Sequence, residues 1–513
     1  MEKVYKPCEY PNEYRNNFKS SCAQLYAGAV ECFFLVSLGM QFVMPTVVLG
    51  ALHNKAGDVM SLDDEAASWI GSILYICQPL GAVVSGYMSE KFGRKGAMML
   101  VNGPFFAGWI LLYYSTSVRG LFIATFTSGL GMGFCEAPVA NYLGEISEPR
   151  WRGVLISMTT AACLLGSMLE LLISAVLDWR TTALVSSSLP VISLIFFITI
   201  PESPVWLITK NRMDKAQKSL AWLRGFLQPH QVKKEFDALV RYTNHSVHLD
   251  ENGTEEENVP LDSKHKAVEE KPKGWFREVI DELKNPKIYL PLRLIFILFF
   301  FTQCAALIPF RSYLVEIFNN FNFPIDSKWV LVMTSVTSFI GSAGTIFVVK
   351  WAGKRRLAIY SMFTTTLTIL IMGLFSTFFK NTKHELWSWL LTINVGACFL
   401  FSSLGVISIG WMFLCEIFPV KARAMATGLS MAWSYCVSFT LTKTYIQSQH
   451  LIGLDGMFYV YAAISFIGYL YFVFYLPETE GKPLETIETF WTPNHDKKAK
   501  FSLPKKNKNA SKA

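Results

Sequence analysis

The sequence predicts an all-α membrane protein of twelve spanning helices arranged as two six-helix bundles. Three observations predict it. The chain is oily, with 51% hydrophobic and 17% charged residues over 513 positions, against about 25% charged in an ordinary soluble domain. Its apolar residues gather into runs of the roughly 20 needed to cross a bilayer. Polar motifs between those runs recur in the second half of the chain in the order of the first.

The apolar runs place spans near residues 24–48, 68–88, 97–115, 119–142, 153–177 and 183–200, then 289–317, 328–349, 357–377, 387–414, 424–446 and 456–476. The chain thus divides into a tail (1–23), a first bundle (24–200), a linker (201–288), a second bundle (289–476) and a basic tail (477–513). An even number of spans puts both tails on one side. Short loops on that side carry eleven basic residues (Lys91, Arg94, Lys95, Arg150, Arg152, Lys350, Lys354, Arg355, Arg356, Lys421 and Arg423), against six opposite (Lys55, Arg119, Arg180, Lys328, Lys380 and Lys383). The positive-inside rule makes that side cytoplasmic. The net charge of +8 therefore reads as juxtamembrane charge, with the lipid bilayer as its partner and no nucleic acid.

The first tail lacks the apolar core of a signal peptide. All ten cysteines fall in that tail or in apolar runs, so no disulfide is expected. The linker's middle, NHSVHLDENGTEEENVPLDSKHKAVEEKPKG, is too polar to order itself by burial. Its start (MDKAQKSLAWLRGF) and end (WFREVIDELKN) carry helical periodicity and are expected along the cytoplasmic face. The sequons at Asn244, Asn252 and Asn509 then lie on the wrong side for glycosylation.

Three motif pairs carry the duplication. GYMSEKFGRKG (86–96) answers VVKWAGKRR (348–356), GEISEPRWRG (144–153) answers CEIFPVKARA (415–424), and PESPVWL (201–207) answers PETEGKPL (477–484). The offsets are 260 for Gly93 to Gly353, 271 for Glu145 to Glu416 and 276 for Pro201 to Pro477. Each motif sits at a cytoplasmic helix end, where ion pairs contribute only about 0–1 kcal/mol each and are easily broken. That suits a latch between two moving bundles. Glu145, Arg152, Glu416 and Arg423 are expected to form it, with Glu90, Arg94, Lys354, Glu202 and Glu478 in the same network, and with Gly86 and Gly93 permitting close approach in the turn.

G-x-x-x-E-K-x-G-R-K (86–95), E-x6-R-G (145–153), P-E-S-P-x-W (201–206), E-x-F-P-x3-R (416–423) and P-E-T-x-G-K (477–482) together resemble the signature set of the sugar-porter family of the major facilitator superfamily. ASWIG (67–71), AWLRG (221–225) and TKT (442–444) resemble its insect-type facilitated trehalose transporters. The resemblance implies the major facilitator fold and a monomeric unit in the plasma membrane, both termini cytoplasmic. It also implies passage of a sugar, trehalose or a hexose, by alternating access.

It further implies solute contacts near midplane from Thr302, Gln303 and Tyr313 in helix seven, Ser338 in helix eight, Trp411 in helix ten and Tyr435 in helix eleven. This chain departs from the family there. The family's Q-Q-x-S-G-x-N reads TQCAALI (302–308), an expected Asn is Ser338, Val406, Ser408 and Gly410 lie across the P-x-P-W frame, and Asn-Trp is Ser434-Tyr435. Each hydrogen bond so lost removes about 0.5–1.5 kcal/mol, which points to weaker binding or a different solute. Gln303 and Trp411 read either as solute contacts or as interhelical packing.

Against those losses stand Glu31, Glu136, Glu170 and Arg311 inside apolar runs, where charges usually face a cavity or a partner. Thr159, Cys163, Ser167, Glu170 and Ser174 form one polar stripe on helix five, and Glu170 and Arg311 are expected to pair toward the outer mouth. The Asp and Arg of proton-coupled relatives are replaced by Pro45 and Thr125, which favours uniport. Glu136 or Glu31 as a relocated proton acceptor, and a non-transporting sensor, are the alternatives. No nucleotide-binding loop, catalytic set or metal-ligand spacing is present, so neither enzyme activity nor a cofactor or metal is expected.

Overall fold

A computed structural model describes residues 18–54, 60–251, 285–319, 326–378, 385–418 and 423–480. Eleven helices are long and apolar enough to cross a membrane: Phe18–Leu52, Asp64–Phe92, Arg94–Tyr114, Val118–Ile146, Val154–Val176, Trp179–Thr199, Ile288–Arg311, Ser327–Val349, Lys354–Phe378, Leu386–Leu414 and Tyr445–Tyr475. These are spans one to ten and span twelve. Between the last two lies Arg423–Lys443, 21 residues long and packed against spans two and seven. We number it span eleven. It has a span's length, but its serines and threonines leave it less apolar than the others.

Several helices run beyond their apolar runs because a helix continues past the bilayer while the hydropathy signal stops. Others break where the sequence reads as continuous, and prolines explain three of the breaks. Pro138, Pro190 and Pro309 have no N–H for the carbonyls of Phe134, Ser186 and Ala305, four residues earlier. Span four parts into Val118–Phe134 and Glu136–Ile146, and span six into Trp179–Ser186 and Ser188–Thr199. Span seven ends its first helix, Pro286–Ala305, at a left-handed Leu307 (φ 50°) and resumes as Ile308–Arg311 and Leu314–Asn319. A φ this positive is uncommon for a non-glycine residue. It re-aims Arg311 and Tyr313 relative to the helix below. Span ten carries a π-helical turn, Ser402–Ile407, where the family frame is altered; such insertions cluster at functional sites.

Spans one and five cross at contact distance, since a Cβ on Gly39 would stand 1.8 Å from the Cys163 carbonyl oxygen and one on Gly166 2.0 Å from that of Val36. The polar stripe of span five therefore lies partly against the backbone of span one, with Ser167 donating to the Gly39 carbonyl at 2.9 Å. The largest apolar core joins both halves of the chain, running from Met40, Val48 and Trp109 to Phe310, Tyr313 and Phe458. At its centre Tyr313 stacks on Tyr445 at 4.7 Å, and Phe310 on Phe458 at 5.2 Å.

On the face bearing the duplicated motifs, Pro204–Thr209, Met213–Leu223, a 3₁₀ turn at Pro229–Val232 and Lys233–Glu251 share a small core of Trp206, Leu220, Val232 and Phe236. The start of the linker is helical, as its periodicity predicts. Its WFREVIDELKN end lies outside the described residues, apart from Asn285. The eight cysteines whose side chains are described are free.

Candidate functional site

The motif pairs build the same network twice. In the first half, Glu202 lies over the N-terminus of span three and accepts from the backbone N–H groups of Arg94 (3.0 Å), Lys95 (3.1 Å) and Gly96 (3.4 Å). A carboxylate there satisfies orphan donors and the positive end of the helix dipole together. The Arg94 guanidinium grips Glu145 through Nε (3.0 Å) and Nη2 (2.7 Å), and the Ser203 hydroxyl donates to the same carboxylate. The Trp206 indole donates to the Glu90 carbonyl at 2.9 Å, so Glu90 takes part through its backbone while its side chain is exposed.

In the second half Glu478 accepts from the N–H groups of Lys354 (3.1 Å) and Arg355 (3.2 Å) at the start of span nine. The Lys354 ammonium binds Glu416 (2.6 Å) and Glu480 (3.2 Å), and the Thr479 hydroxyl donates to Glu416 at 3.2 Å. Ser203 and Thr479 are correspondents that sequence reasoning passed over, although both follow the motif Glu directly. Gly93 and Gly353 make the two turns at φ 90° and 79°. At Gly93 a Cβ would come within 2.3 Å of Glu202, whereas one at Gly86 meets nothing within 4 Å, so of the two glycines only Gly93 is needed for close approach.

Glu145 and Glu416 are thus each bound within their own half. The side chains of Arg152 and Arg423, expected opposite them, lie outside the described residues.

At the other end of the spans the halves touch directly. Thr46 donates to the Arg311 carbonyl (2.8 Å), Ser68 to that of Lys443 (3.0 Å) and Ser312 to that of Gly71 (3.4 Å). The Lys443 ammonium lies 4.0 Å from the Trp69 ring centre, and His450 lies 3.4 Å from Asp64. Deeper, the Tyr435 hydroxyl donates to the Glu136 carboxylate across the interface. The break before Pro138 puts Glu136 at the start of a helix. Nine residues of helix between it and Glu145 amount to about 14 Å, near the middle of the span.

The expected solute residues are dispersed along this interface. Gln303 donates to the Ser434 hydroxyl at 2.5 Å, beside a buried Thr302. Trp411 stands edge-on to Phe299 at 5.7 Å and lines a narrow cavity with Ser157, Thr160, Ser342 and Ser408. Ser338 lines a second cavity between the halves, bounded by Thr46 and Ser167 of the first and by Arg311, Thr334, Ser335 and Phe399 of the second. Tyr313 is buried in the aromatic cluster instead. The second cavity has about 30 Å³ of space, enough for one or two waters. As it stands, this cavity is too small for a sugar.

The intramembrane charges occupy different surroundings. Glu31 is buried within the first half with neither carboxylate oxygen hydrogen-bonded. Glu170 and Arg311 do not pair, contrary to the sequence expectation. Glu170 points to span six and accepts from Ser186 at 2.5 Å, while the Arg311 guanidinium lies over the Phe399 ring at 5.6 Å. Span five turns Glu170 into its own bundle, and the break at Leu307 turns Arg311 into the cavity.

The family described as "Sugar (and other) transporter" matches residues 18–491. The facilitated trehalose transporter Tret1 of Anopheles gambiae is 29% identical over 456 residues, 88% of this chain and 54% of that protein. Tret1 of Drosophila virilis is 29% identical over 462 residues, 88% of this chain and 47% of that protein. The chain thus spans about half the length of these curated relatives, while covering 82% of Culex quinquefasciatus Tret1 at 28% identity. Among solved structures, the major facilitator proton:xylose symporter XylE superposes with a TM-score of 0.69 at 17% identity, over 92% of this chain and 100% of that one. That likeness carries the fold. The family match runs through every span and both halves of the duplicated network, and the chain belongs to the sugar (and other) transporter family, with the major facilitator fold.

Proposed function

We propose that the chain carries a sugar or sugar-like polyol, with trehalose and hexoses as the first candidates, across the plasma membrane as a facilitator working by alternating access. The observation that carries this is the cross-half contact set closing one end of the spans, while the motif networks at the other end are complete within each half. Two bundles of six, residues 24–200 and 289–476, can then rock as units about the cavities between them. Both tails and the linker lie in the cytoplasm in this reading. Arg152 and Arg423 reach across as the inner latch when the cavity faces outward.

Uniport is supported by what fills the family's coupling positions. Pro45 is buried in span one, and Thr125 donates to the Leu121 carbonyl of its own helix at 2.8 Å, so neither offers a titratable group. A second reading, proton coupling, is favoured by Glu136, whose bond to Tyr435 across the halves makes its proton part of the interface. The test is uptake of labelled trehalose and glucose by the reconstituted protein. Uniport gives equilibration insensitive to a protonophore. Accumulation that a protonophore collapses would replace uniport by coupling through Glu136, and no flux of any sugar would sink transport of this class.

A further inference from the structure

The cavity around Arg311 has a chemistry that a neutral sugar does not match. The guanidinium Nε and Nη2 are buried without a hydrogen-bond partner. The intramembrane carboxylates that might serve it are engaged elsewhere, Glu170 by Ser186 and Glu136 by Tyr435. The guanidinium lies over the face of Phe399 at 5.6 Å. A buried cation left this way is unfavourable and calls for an anion.

The serine and threonine hydroxyls lining the cavity are committed as donors. Thr46 gives its proton to the Arg311 carbonyl (2.8 Å), Ser167 to Gly39 (2.9 Å), Thr334 to Leu331 (2.7 Å), Ser335 to Val332 (2.7 Å) and Ser338 to Thr334 (2.8 Å). What they have left for an occupant is oxygen lone pairs. A partner must therefore bring O–H donors for the serines and threonines and a negative group for the guanidinium. A neutral sugar supplies the first and leaves the cation unpaired. A simple inorganic anion supplies the second and leaves the hydroxyl oxygens unused.

We infer that this cavity takes a polyhydroxy carboxylate, a sugar acid, with the carboxylate held by Arg311 and the hydroxyls donated to the serine and threonine oxygens of both halves. The planar guanidinium suits a carboxylate through two parallel N–H···O bonds. The inference rests on the transport reading for the path by which the acid enters. The cavity's small volume here means that the halves part to admit it. Because the hydroxyls come from spans one and five on one side and span eight on the other, an occupant also ties the halves together.

The test is calorimetric titration of the purified full-length protein with D-glucuronate and D-glucose at neutral pH. Glucuronate is expected to bind at least about tenfold more tightly. Arg311→Gln should abolish that preference, and Arg311→Lys should keep part of it. Equal affinity for the two compounds, absence of glucuronate binding, or a preference that Arg311→Gln leaves intact would overturn the inference. Should Arg311→Gln fail to fold, the parental protein in proteoliposomes decides. Glucuronate must then inhibit uptake of labelled glucose or trehalose at concentrations where equimolar glucose does not. Sugar uptake indifferent to glucuronate would overturn the inference and leave the transport reading standing. Glucuronate binding without flux of any solute would support the inference and remove the transport reading.

Discussion

Replacing Glu202 by alanine tests the view that each half is braced by a carboxylate over a helix N-terminus. The Glu202 carboxylate accepts from three successive N–H groups at the start of span three and from the N–H of Ser203 at 2.9 Å. Losing a side-chain cap removes about 0.5–2 kcal/mol, and losing the charge at the dipole's positive end removes about 0.3–1 kcal/mol, with up to about 2 in partly buried geometries. The two overlap, so about 2 kcal/mol is expected for Glu202→Ala and about half that for Glu202→Gln, which keeps one acceptor oxygen. At about 2–4 °C per kcal/mol for a unit of 150–250 residues, the melting temperature should fall by about 4–8 °C. The assay is thermal unfolding of the detergent-purified protein followed by tryptophan fluorescence. Glu478→Ala should behave alike, and because the two networks share no partner, the double variant should show the sum within about 0.5 kcal/mol. A Glu202→Ala protein that melts within a degree of the parent, or strong coupling between the two substitutions, would refute the reasoning.

Other expectations follow from single contacts. Gly39→Ala should force spans one and five apart against the Cys163 carbonyl and lower stability by about 1–3 kcal/mol, whereas Gly86→Ala, with open space around it, should melt like the parent; equal behaviour of the two would contradict the crossing described. Glu170→Arg and Arg311→Glu should not rescue one another, since the two side chains point into different surroundings, and transport recovered in the double variant would restore the pairing that the sequence suggests. Removing the Gln303 amide or the Ser434 hydroxyl breaks the same 2.5 Å bond, so a double-mutant cycle in stability should show a coupling of at least about 0.5 kcal/mol. Additive losses would mean that Gln303 is held for some other purpose.

Much of this was legible in the sequence because a bilayer imposes length and apolarity on every span, and because duplication prints the same polar frame twice. The correspondences Glu145 with Glu416 and Glu202 with Glu478 were readable from offsets alone. Which partner each would choose was not. Spacing placed Glu145 seven residues before Arg152, whose side chain lies outside the described residues, but it did not give the grip of Arg94, brought from another span by a turn at Gly93. The same limit applies to Glu170 and Arg311. Helical rise put them at comparable height, but direction around the axis depends on the span-one crossing and on the break at Leu307, and neither follows from hydropathy. That break did have a signal, the proline at 309 in AALIP, and Pro138 and Pro190 likewise stand just after the breaks in spans four and six. Span eleven is less apolar than the others, and its polarity has a use, since Ser434 and Tyr435 are the groups it presents to Gln303 and Glu136.

The two networks are alike in placement and unlike in chemistry, and the difference bears on how the halves move. Arg94 offers a planar fork that fits Glu145 in one orientation, with Ser203 completing the contact. Lys354 is a point charge on a flexible stem, shared between Glu416 and Glu480. An arginine grip sets direction as well as distance, whereas a lysine tolerates rotation of its partners. The first half is therefore the stiffer body at this end, and the second can adjust the end of span ten, where Glu416 sits, without breaking its ion pair. Span ten also carries the π turn at Ser402–Ile407 beside both cavities. An ion pair that tolerates rotation below and an irregular hydrogen-bond ladder above fall on the same span, so span ten is the element best placed to yield first when the halves part.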